Sequence, residues 1–494
     1  MDADTSALDD LAAHAHDSHV VVIGGGIGGL VAALECAKVG IRVTLLEEDT
    51  ALGGAIRTHE LAGVRVDLGA EGWATRGGAV RRLVDELGLG GAVVPTAPRA
   101  EWIAGLPDGA APVPAATLRG IPENPWDESV RRIIGWRGAW RAYLDRIRPP
   151  LTIGQERSLG KLVRTRMGEA VLERIVAPLS VGGFAIDPDD VDVEAVVPGL
   201  NAALTRTGSL AGAVMQLRAD RASAAKKGRP ADAGLESLDG GMSRLVDALD
   251  ERLRALEVRI GTGTRVLGVQ RAAGQWIIET DAGEDDDPVG PADQIVVATG
   301  AADAHRLLGA LVPELAEPAT TALEVVTLVV RSPALTAAPI ATAVYSVPGR
   351  EGAASVTDST ARWPWMQTAP DVHVLKVSFG GPGTRPATAD LDDRAAAALA
   401  LAEVSAARGV ALDGDALLAS HRGRYRQPDP VSALGHAERT EAARSAIHGV
   451  DGLAVVGAWL AGTGLAQVVP DAAHEAERVR RTALWGSPDE RPLT

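Results

Sequence analysis

The stretch VVVIGGGIGGL, residues 20–30, is an apolar run that collapses into five glycines before apolar character resumes. Its first four residues are β-branched, as expected of a short strand buried on both faces. Gly24, Gly26 and Gly29 then match G-x-G-x-x-G, with Gly25, Ile27 and Gly28 completing the turn. LVAALECAKVG (30–40) has helical composition and ends on glycine; IRVTLLEE (41–48) reads as a second strand closing on Glu47 and Glu48. In such a unit the first glycine allows the tight turn and the second lets backbone approach a pyrophosphate. The third lets helix and strand pack closely. Free N–H groups at the helix start face the phosphates, and Glu47 is placed to accept hydrogen bonds from a ribose. The order strand, turn, helix, strand, acid predicts a dinucleotide site.

A chain of 494 residues exceeds one ordinary core, so two or three domains are expected. Hydrophobic residues make up 46% and charged residues 23%, a globular composition. The net charge of −16 argues against nucleic-acid binding, which needs a basic surface. The single Cys36 excludes an intrachain disulfide framework and a four-thiolate metal site, and suits a cytoplasmic home. The acidic start, residues 1–17, lacks a signal-peptide pattern and is expected to be a disordered tail; His14 and His16 in it and His19 just after it suggest no metal site. LAVVGAWLAGTGLAQVVP (453–470) is uncharged, but its glycines, Gln467 and Pro470 fit strand, turn and helix start rather than a membrane span.

The continuation after Glu47 carries a resemblance. EDTALGGAIRT (48–58) supplies Gly53, Gly54 and Arg57, and VDLGAEGW (66–73) supplies Gly69, Ala70, Glu71 and Gly72. The pattern E-x(5)-G-G-x-x-R-T resembles the second FAD fingerprint of the flavin-dependent amine oxidase superfamily. That resemblance implies FAD, with the paired glycines and Arg57 along the pyrophosphate and the flavin end. It also implies that the backbone of Val266 meets the adenine. GLAVVGAWLAGTGLAQVV (452–469) resembles the motif that closes over the flavin through Thr463, Gly464 and Leu465, with a helix N-terminus aimed at the ring. Pro470 is expected to be that helix's first residue. VRIGTGTRVLGVQRAAGQWIIET (258–280) alternates as strands of a small meander.

RTRMGEAVLERIVAPLSVGGFAIDPDDVDVEAVVPGL (164–200), GLESLDGGMSRLVDAL (234–249) and YRQPDPVSALGH (425–436) narrow the resemblance to the protoporphyrinogen and coproporphyrinogen oxidases. The implied fold is α/β (α+β overall): a discontinuous Rossmann-like FAD-binding domain (18–80, 236–310, 441–494), a mixed-sheet substrate domain (81–114, 311–440) and an inserted helical subdomain (115–215). The implied reaction is oxidation of coproporphyrinogen III to coproporphyrin III in haem biosynthesis. Six electrons leave in three rounds of hydride transfer to flavin N5, with oxygen reduced to peroxide. The substrate needs positioning and water exclusion rather than an obligatory side-chain base. Protoporphyrinogen IX, an amine or polyene, and a non-catalytic flavin protein are the alternatives. Three positions depart from the family: Tyr425 replaces a flavin-contacting tryptophan, Ser432 a tyrosine, and Ala55 a common lysine or arginine.

The substrate's propionates ask for cations. Residues 128–174 hold 11 Lys+Arg against 5 Asp+Glu, inside a chain at −16. Arg164 and Arg166 are therefore candidate carboxylate ligands, against the alternatives of a solvated helix face or peripheral contact with anionic lipid. Trp73 is a candidate near the flavin and equally a core residue. Trp363 and Trp365 fit ordinary packing, with the lining of a flat macrocycle pocket as the alternative. The loop 219–234 and the acidic turn GEDDDP read as connections. A transient hand-off of product to a ferrochelatase is a further expected partnership.

Overall fold

A computed structural model describes residues 14–98, 100–148, 156–226, 234–282, 289–315, 319–349 and 351–485. The opening stretch folds into β1 (His19–Ile23) and α1 (Ile27–Ala37), followed by β2 (Arg42–Glu47). With β3 (Arg259–Thr262), β4 (Gln294–Val297) and β5 (Leu453–Val455) they build a five-stranded sheet in the order 3-2-1-4-5. Every pairing is parallel, the doubly wound arrangement of dinucleotide-binding folds. Strand periodicity explains its two cores. Val20, Val22, Val43 and Leu45 face α1, Ser243–Ala255 and α2 (Leu465–Trp485). Val21, Ile23, Leu46 and Ile295 face Trp276, Ala304 and Leu308 on the other side. A parallel sheet must be covered on both faces, and here it is.

The second sheet is mixed and has seven strands. Its order is Leu417–Pro428, Thr320–Arg331, Val372–Gly380, Ala353–Asp358, Ala343–Ser346, Glu101–Leu106 and Gly109–Pro112. Only the Ala343–Ser346 pairing with Glu101–Leu106 is parallel. One face, with Val326, Leu328, Leu375 and Val377, buries the helix Asp393–Arg408 through Ala396, Ala397, Ala400, Leu401 and Val404. On the other face Val329 and Val374 pack on Val64, Val66 and Leu68 of the Rossmann half. A further core is helical: Ile133, Val163, Val171, Ile175, Leu200 and Val214 come from helices between Glu128 and Lys226. The α/β class with Rossmann, mixed-sheet and helical parts is what the sequence implies.

Several local expectations change. The meander is a two-stranded hairpin, Val266–Ala272 with Gln275–Thr280, because Arg259–Thr262 pairs instead with the edge of the parallel sheet. The C-terminal helix starts at Leu465, with Pro470 inside its second turn. Residues 14–17 are helical and Ala15 is buried against the α1 core, where a tail is expected; residues 1–13 lie outside the described residues. His19 sits in β1, its ring bonded to Thr44 Oγ1 at 2.9 Å and Pro291 O at 3.0 Å. The expected loop at 219 is still helix to Lys226, while 227–233 and GEDDDP (283–288) lie outside the described residues.

Candidate functional site: the glycine cleft and the sheet that faces it

The three motif glycines have three distinct surroundings. Gly24 has φ +110°, and a Cβ there would lie 2.7 Å from Ala298 O. A Cβ on Gly29 would lie 1.9 Å from Gly24 O, so helix and turn touch only because it is absent. A Cβ on Gly26, with φ −70°, would meet nothing within 4 Å. Gly26 is thus bare for neither backbone angle nor protein packing, and the space beside it is open. The helix it opens has no side-chain cap and no acid in its first turn, leaving its amides to a bound anion.

Glu47 leans over the turn, accepting from Gly25 N–H at 2.6 Å and Asp49 N–H at 2.9 Å. The cleft continues past Glu48, Asp49, Val266 and the turn Ala298–Thr299–Gly300. Thr299 Oγ1 is buried there without a hydrogen-bond partner. The second glycine pair folds onto the first. Gly53 N–H donates to Gly25 O at 2.9 Å, and a Cβ on Gly54 would lie 3.3 Å from Gly26 Cα. Arg57 reaches back to Gly54 O at 3.0 Å and bridges Asp49. An uncapped helix start, a cradle a methyl would fill and an orphaned hydroxyl fit a dinucleotide.

Beyond Arg57, Gly69 packs so that a Cβ would fall 1.9 Å from Ala55 O, and Ala70 N–H donates to the same carbonyl at 3.1 Å. A Cβ on Gly72 would strike Glu236 O at 2.4 Å. Tyr425, on the sheet, donates its hydroxyl to Leu68 O at 3.0 Å. Burial pushes its phenol up, against the pull of Arg57, so it remains a neutral donor. At the far side Gly464 accepts from Gln467 and Val468 N–H at 2.9 and 3.0 Å, opening α2 next to exposed Thr463 and buried Leu465. Gly28 lies where a Cβ would be 3.4 Å from Val456 and 3.5 Å from Val468, so the starts of α1 and α2 converge. The expected helix N-terminus therefore exists, and Pro470 does not displace it.

Other expected residues go elsewhere. Glu71 sits in a buried network: Lys376 Nζ at 2.7 Å, Ser359 Oγ at 2.5 Å, Trp363 Nε1 at 3.1 Å and Arg362 at 3.8 Å. Burial opposes its ionisation, but Lys376 and Arg362 outweigh that and hold it below the usual carboxylate range. Trp73 is 2% exposed within the α1 core. Arg166 is buried against Asp145 at 2.5 Å and also bonds Asp145 O and Gly208 O. Arg164 forks onto Asp189 at 3.0 and 3.1 Å and reaches Glu169 at 3.3 Å. Arg166 is thus paired with a buried carboxylate and Arg164 with two partly exposed ones. Opposite charges attracted them regardless of which ligand the segment serves.

Val266 lines the cleft, but its carbonyl accepts from Arg306 at 3.2 Å. Arg265, Thr299, Asp303 and Arg306 complete that end and were not singled out from sequence, because their positions come from two separate segments. Lys376 was missed as well, although a lone cation in VHVLKVSFG is a visible signal. Among the described residues, no group of three or more His, Cys, Asp or Glu is placed to hold a metal ion.

A parallel 3-2-1-4-5 sheet with an open glycine turn, a second glycine pair folded onto it and an apposed mixed sheet is the architecture of a flavin-dependent oxidoreductase. The chain belongs to the flavin containing amine oxidoreductase family, whose model matches residues 27–480. Among its relatives, a coproporphyrinogen III oxidase of Propionibacterium freudenreichii subsp. freudenreichii is 29% identical over 507 residues, 95% of this chain and 92% of that protein. Another, of Mycobacterium bovis, is 30% identical over 453 residues, 90% and 93% of the two chains. A crystal structure of a provisionally named protoporphyrinogen oxidase from Exiguobacterium sp. 255-15 superposes with TM-score 0.80 at 24% identity, covering 94% of this chain and 99% of that one, and shows the shared fold. The cofactor is a flavin. Among the described residues no helix is long and apolar enough to cross a membrane.

Proposed function

We propose that the protein oxidises coproporphyrinogen III to coproporphyrin III in the cytoplasm as a step in haem formation, with FAD as its flavin and molecular oxygen as terminal acceptor. The near full-length likeness to coproporphyrinogen III oxidases carries this reading, and the open space at Gly26 supports FAD. Bound FAD supplies the two-electron acceptor. The residues' share is binding and exclusion. Amides at the start of α1 hold the pyrophosphate, Glu47 exchanges its bond to Gly25 for a ribose, and Tyr425 holds the 69–72 turn to the sheet. Leu323, Val325 and Ser378 stand on the same sheet face as Tyr425 and Lys376, each only partly buried. They offer a dry, largely apolar floor for a macrocycle, where positioning rather than acid–base chemistry is the requirement. Product release to a ferrochelatase fits this reading.

The test is direct. The yellow protein is incubated aerobically with coproporphyrinogen III or protoporphyrinogen IX, and porphyrin fluorescence and peroxide are followed. Coproporphyrin above the autoxidation rate, with about three peroxides per porphyrin from its three two-electron rounds, is expected. Turnover of protoporphyrinogen IX alone would move the assignment to that substrate. Inertness to both would overturn it.

A further inference from the structure

The mixed sheet meets the turn 68–71 along two rows of side chains. In one, Tyr425 on the edge strand lies opposite Leu323 and donates to Leu68 O at 3.0 Å. In the other, Lys376 lies opposite Thr327 and holds Glu71 at 2.7 Å. One row runs between them. Gly423, Val325, Ser378, Ser355 and Tyr345 are successive cross-strand partners, so their side chains share a face.

Both ends of that row are closed. A Cβ on Gly423 would lie 2.7 Å from Tyr425 Cζ, so the bare glycine lets that ring fold back over the row. At the other end the helix Ala177–Phe184 comes down on Tyr345. A Cβ on its Gly182 would lie 2.9 Å from Tyr345 Cδ1 and 2.8 Å from Ala354 O. Tyr345 itself donates to Glu101 Oε1 at 3.3 Å.

Between the two tyrosines stand two hydroxyls. Ser355 is 5% exposed and Ser378 is partly buried. Among the described residues neither hydroxyl has a hydrogen-bond partner. Ser359, Thr360 and Thr388 of the same domain differ, each donating to a carboxylate. The row neighbours Val325 and Gly423 have no polar side-chain atom to offer. A hydroxyl in such a strip is unfavourable unless a ligand supplies its partner.

A serine hydroxyl accepts as well as donates. Directly opposed residues hold their Cβ atoms about 4.5–5.5 Å apart, so this pair can meet two groups of one flat molecule. A porphyrinogen turns pyrrole N–H donors toward its centre and keeps its carboxylates at its edge. An apolar floor with acceptors in the middle complements that centre. A protonated amine would ask for a carboxylate or an aromatic face instead.

We propose that Ser378 and Ser355 accept hydrogen bonds from pyrrole N–H groups of the substrate and so centre the macrocycle on the sheet between Tyr425 and Tyr345. This rests on the porphyrinogen reading given above. The hydroxyls bind and orient; they carry no charge and act as no base.

Steady-state kinetics on the flavin-loaded full chain test this. Alanine keeps the room and removes only the hydroxyl. Ser378→Ala and Ser355→Ala are each expected to raise the KM for the porphyrinogen that wild type turns over by about three- to tenfold. The kcat should stay within about twofold, with flavin content and melting temperature unchanged. Anaerobic binding of coproporphyrin III, read from quenching of its fluorescence, should weaken in the same variants without any turnover. If wild type is active and both variants keep its KM, the inference is overturned while the substrate assignment stands. If the variants lose kcat or flavin rather than KM, the serines are structural, which overturns it too. If wild type oxidises neither porphyrinogen, the assignment itself fails and takes the inference with it.

Discussion

Lys376 Nζ lies 2.7 Å from Glu71 Oε1, joining the centre of the mixed sheet to the turn 69–72 that follows the second glycine pair. Both groups are nearly sealed from water, at 10% and 9% side-chain exposure. Removing the cation leaves Glu71 buried with Arg362 at 3.8 Å as its remaining cationic partner. Lys376→Met is expected to cost about 3–5 kcal/mol of stability, as for other broken buried pairs, and to lower flavin occupancy because the turn loses its anchor. Thermal unfolding and flavin absorbance against protein check both. An unshifted melt with full flavin would show the pair to be dispensable.

The glycines of the first turn separate ligand space from protein space. Gly26→Ala meets no protein atom and should leave the apoprotein melt within about 0.5 kcal/mol of wild type, as for a surface change. It should nonetheless weaken flavin binding at least about tenfold, since the methyl occupies the phosphate's approach. Gly29→Ala would place its methyl 1.9 Å from Gly24 O and is expected to yield unfolded or insoluble protein. If Gly26→Ala binds flavin normally, the turn does not hold a pyrophosphate.

Asp67 is fully buried. Its Oδ1 accepts from Thr58 Oγ1 and from Met242 N–H at 3.0 Å, while Oδ2 has no partner. Burial pushes its carboxyl up from 3.8 to about 6. The folded protein therefore binds this proton more tightly than the unfolded chain does. The stability it contributes is complete below about pH 4 and is lost as pH rises through about 6. Asp67→Asn removes that titration. The stability of wild type relative to Asp67→Asn should fall by up to about 3 kcal/mol between pH 4 and pH 7.5. Melting curves across that range measure it, and a constant gap would show that Asp67 ionises normally.

Arg166 tests the role of the basic segment. Arg166→Met leaves Asp145 buried without its cation, and Asp145 Oδ2 also accepts from Leu210 N–H at 2.6 Å at the start of a long helix. A loss of about 3–5 kcal/mol in stability is expected, with the substrate KM of the surviving fold unchanged. A raised KM with an unaltered melt would restore Arg166 to the substrate pocket.

The parallel sheet and its glycine turn were legible because their determinants are local. Val20–Ile23 must be a buried strand, and glycines at 24, 26 and 29 leave one turn geometry open. The start of α2 was less legible. Proline at 470 signals a helix beginning, yet the helix opens at Gly464 and tolerates the missing N–H one turn later. Lys376 was in plain view as a lone charge in an apolar strand, but its partner lies about three hundred residues away in sequence, so no spacing rule could name it.

Residue order alone determined the class of fold, the glycine turn and the acid beside it, since each depends on neighbours within a few dozen residues. Only the folded chain decided which charges are free to meet a ligand. Composition does not tell a paired charge from an unpaired one; tertiary contacts pair Arg166 and Glu71 with buried partners and Arg164 with partly exposed ones. Coulomb attraction and close packing act over ångströms in space, and distance along the chain carries no record of them.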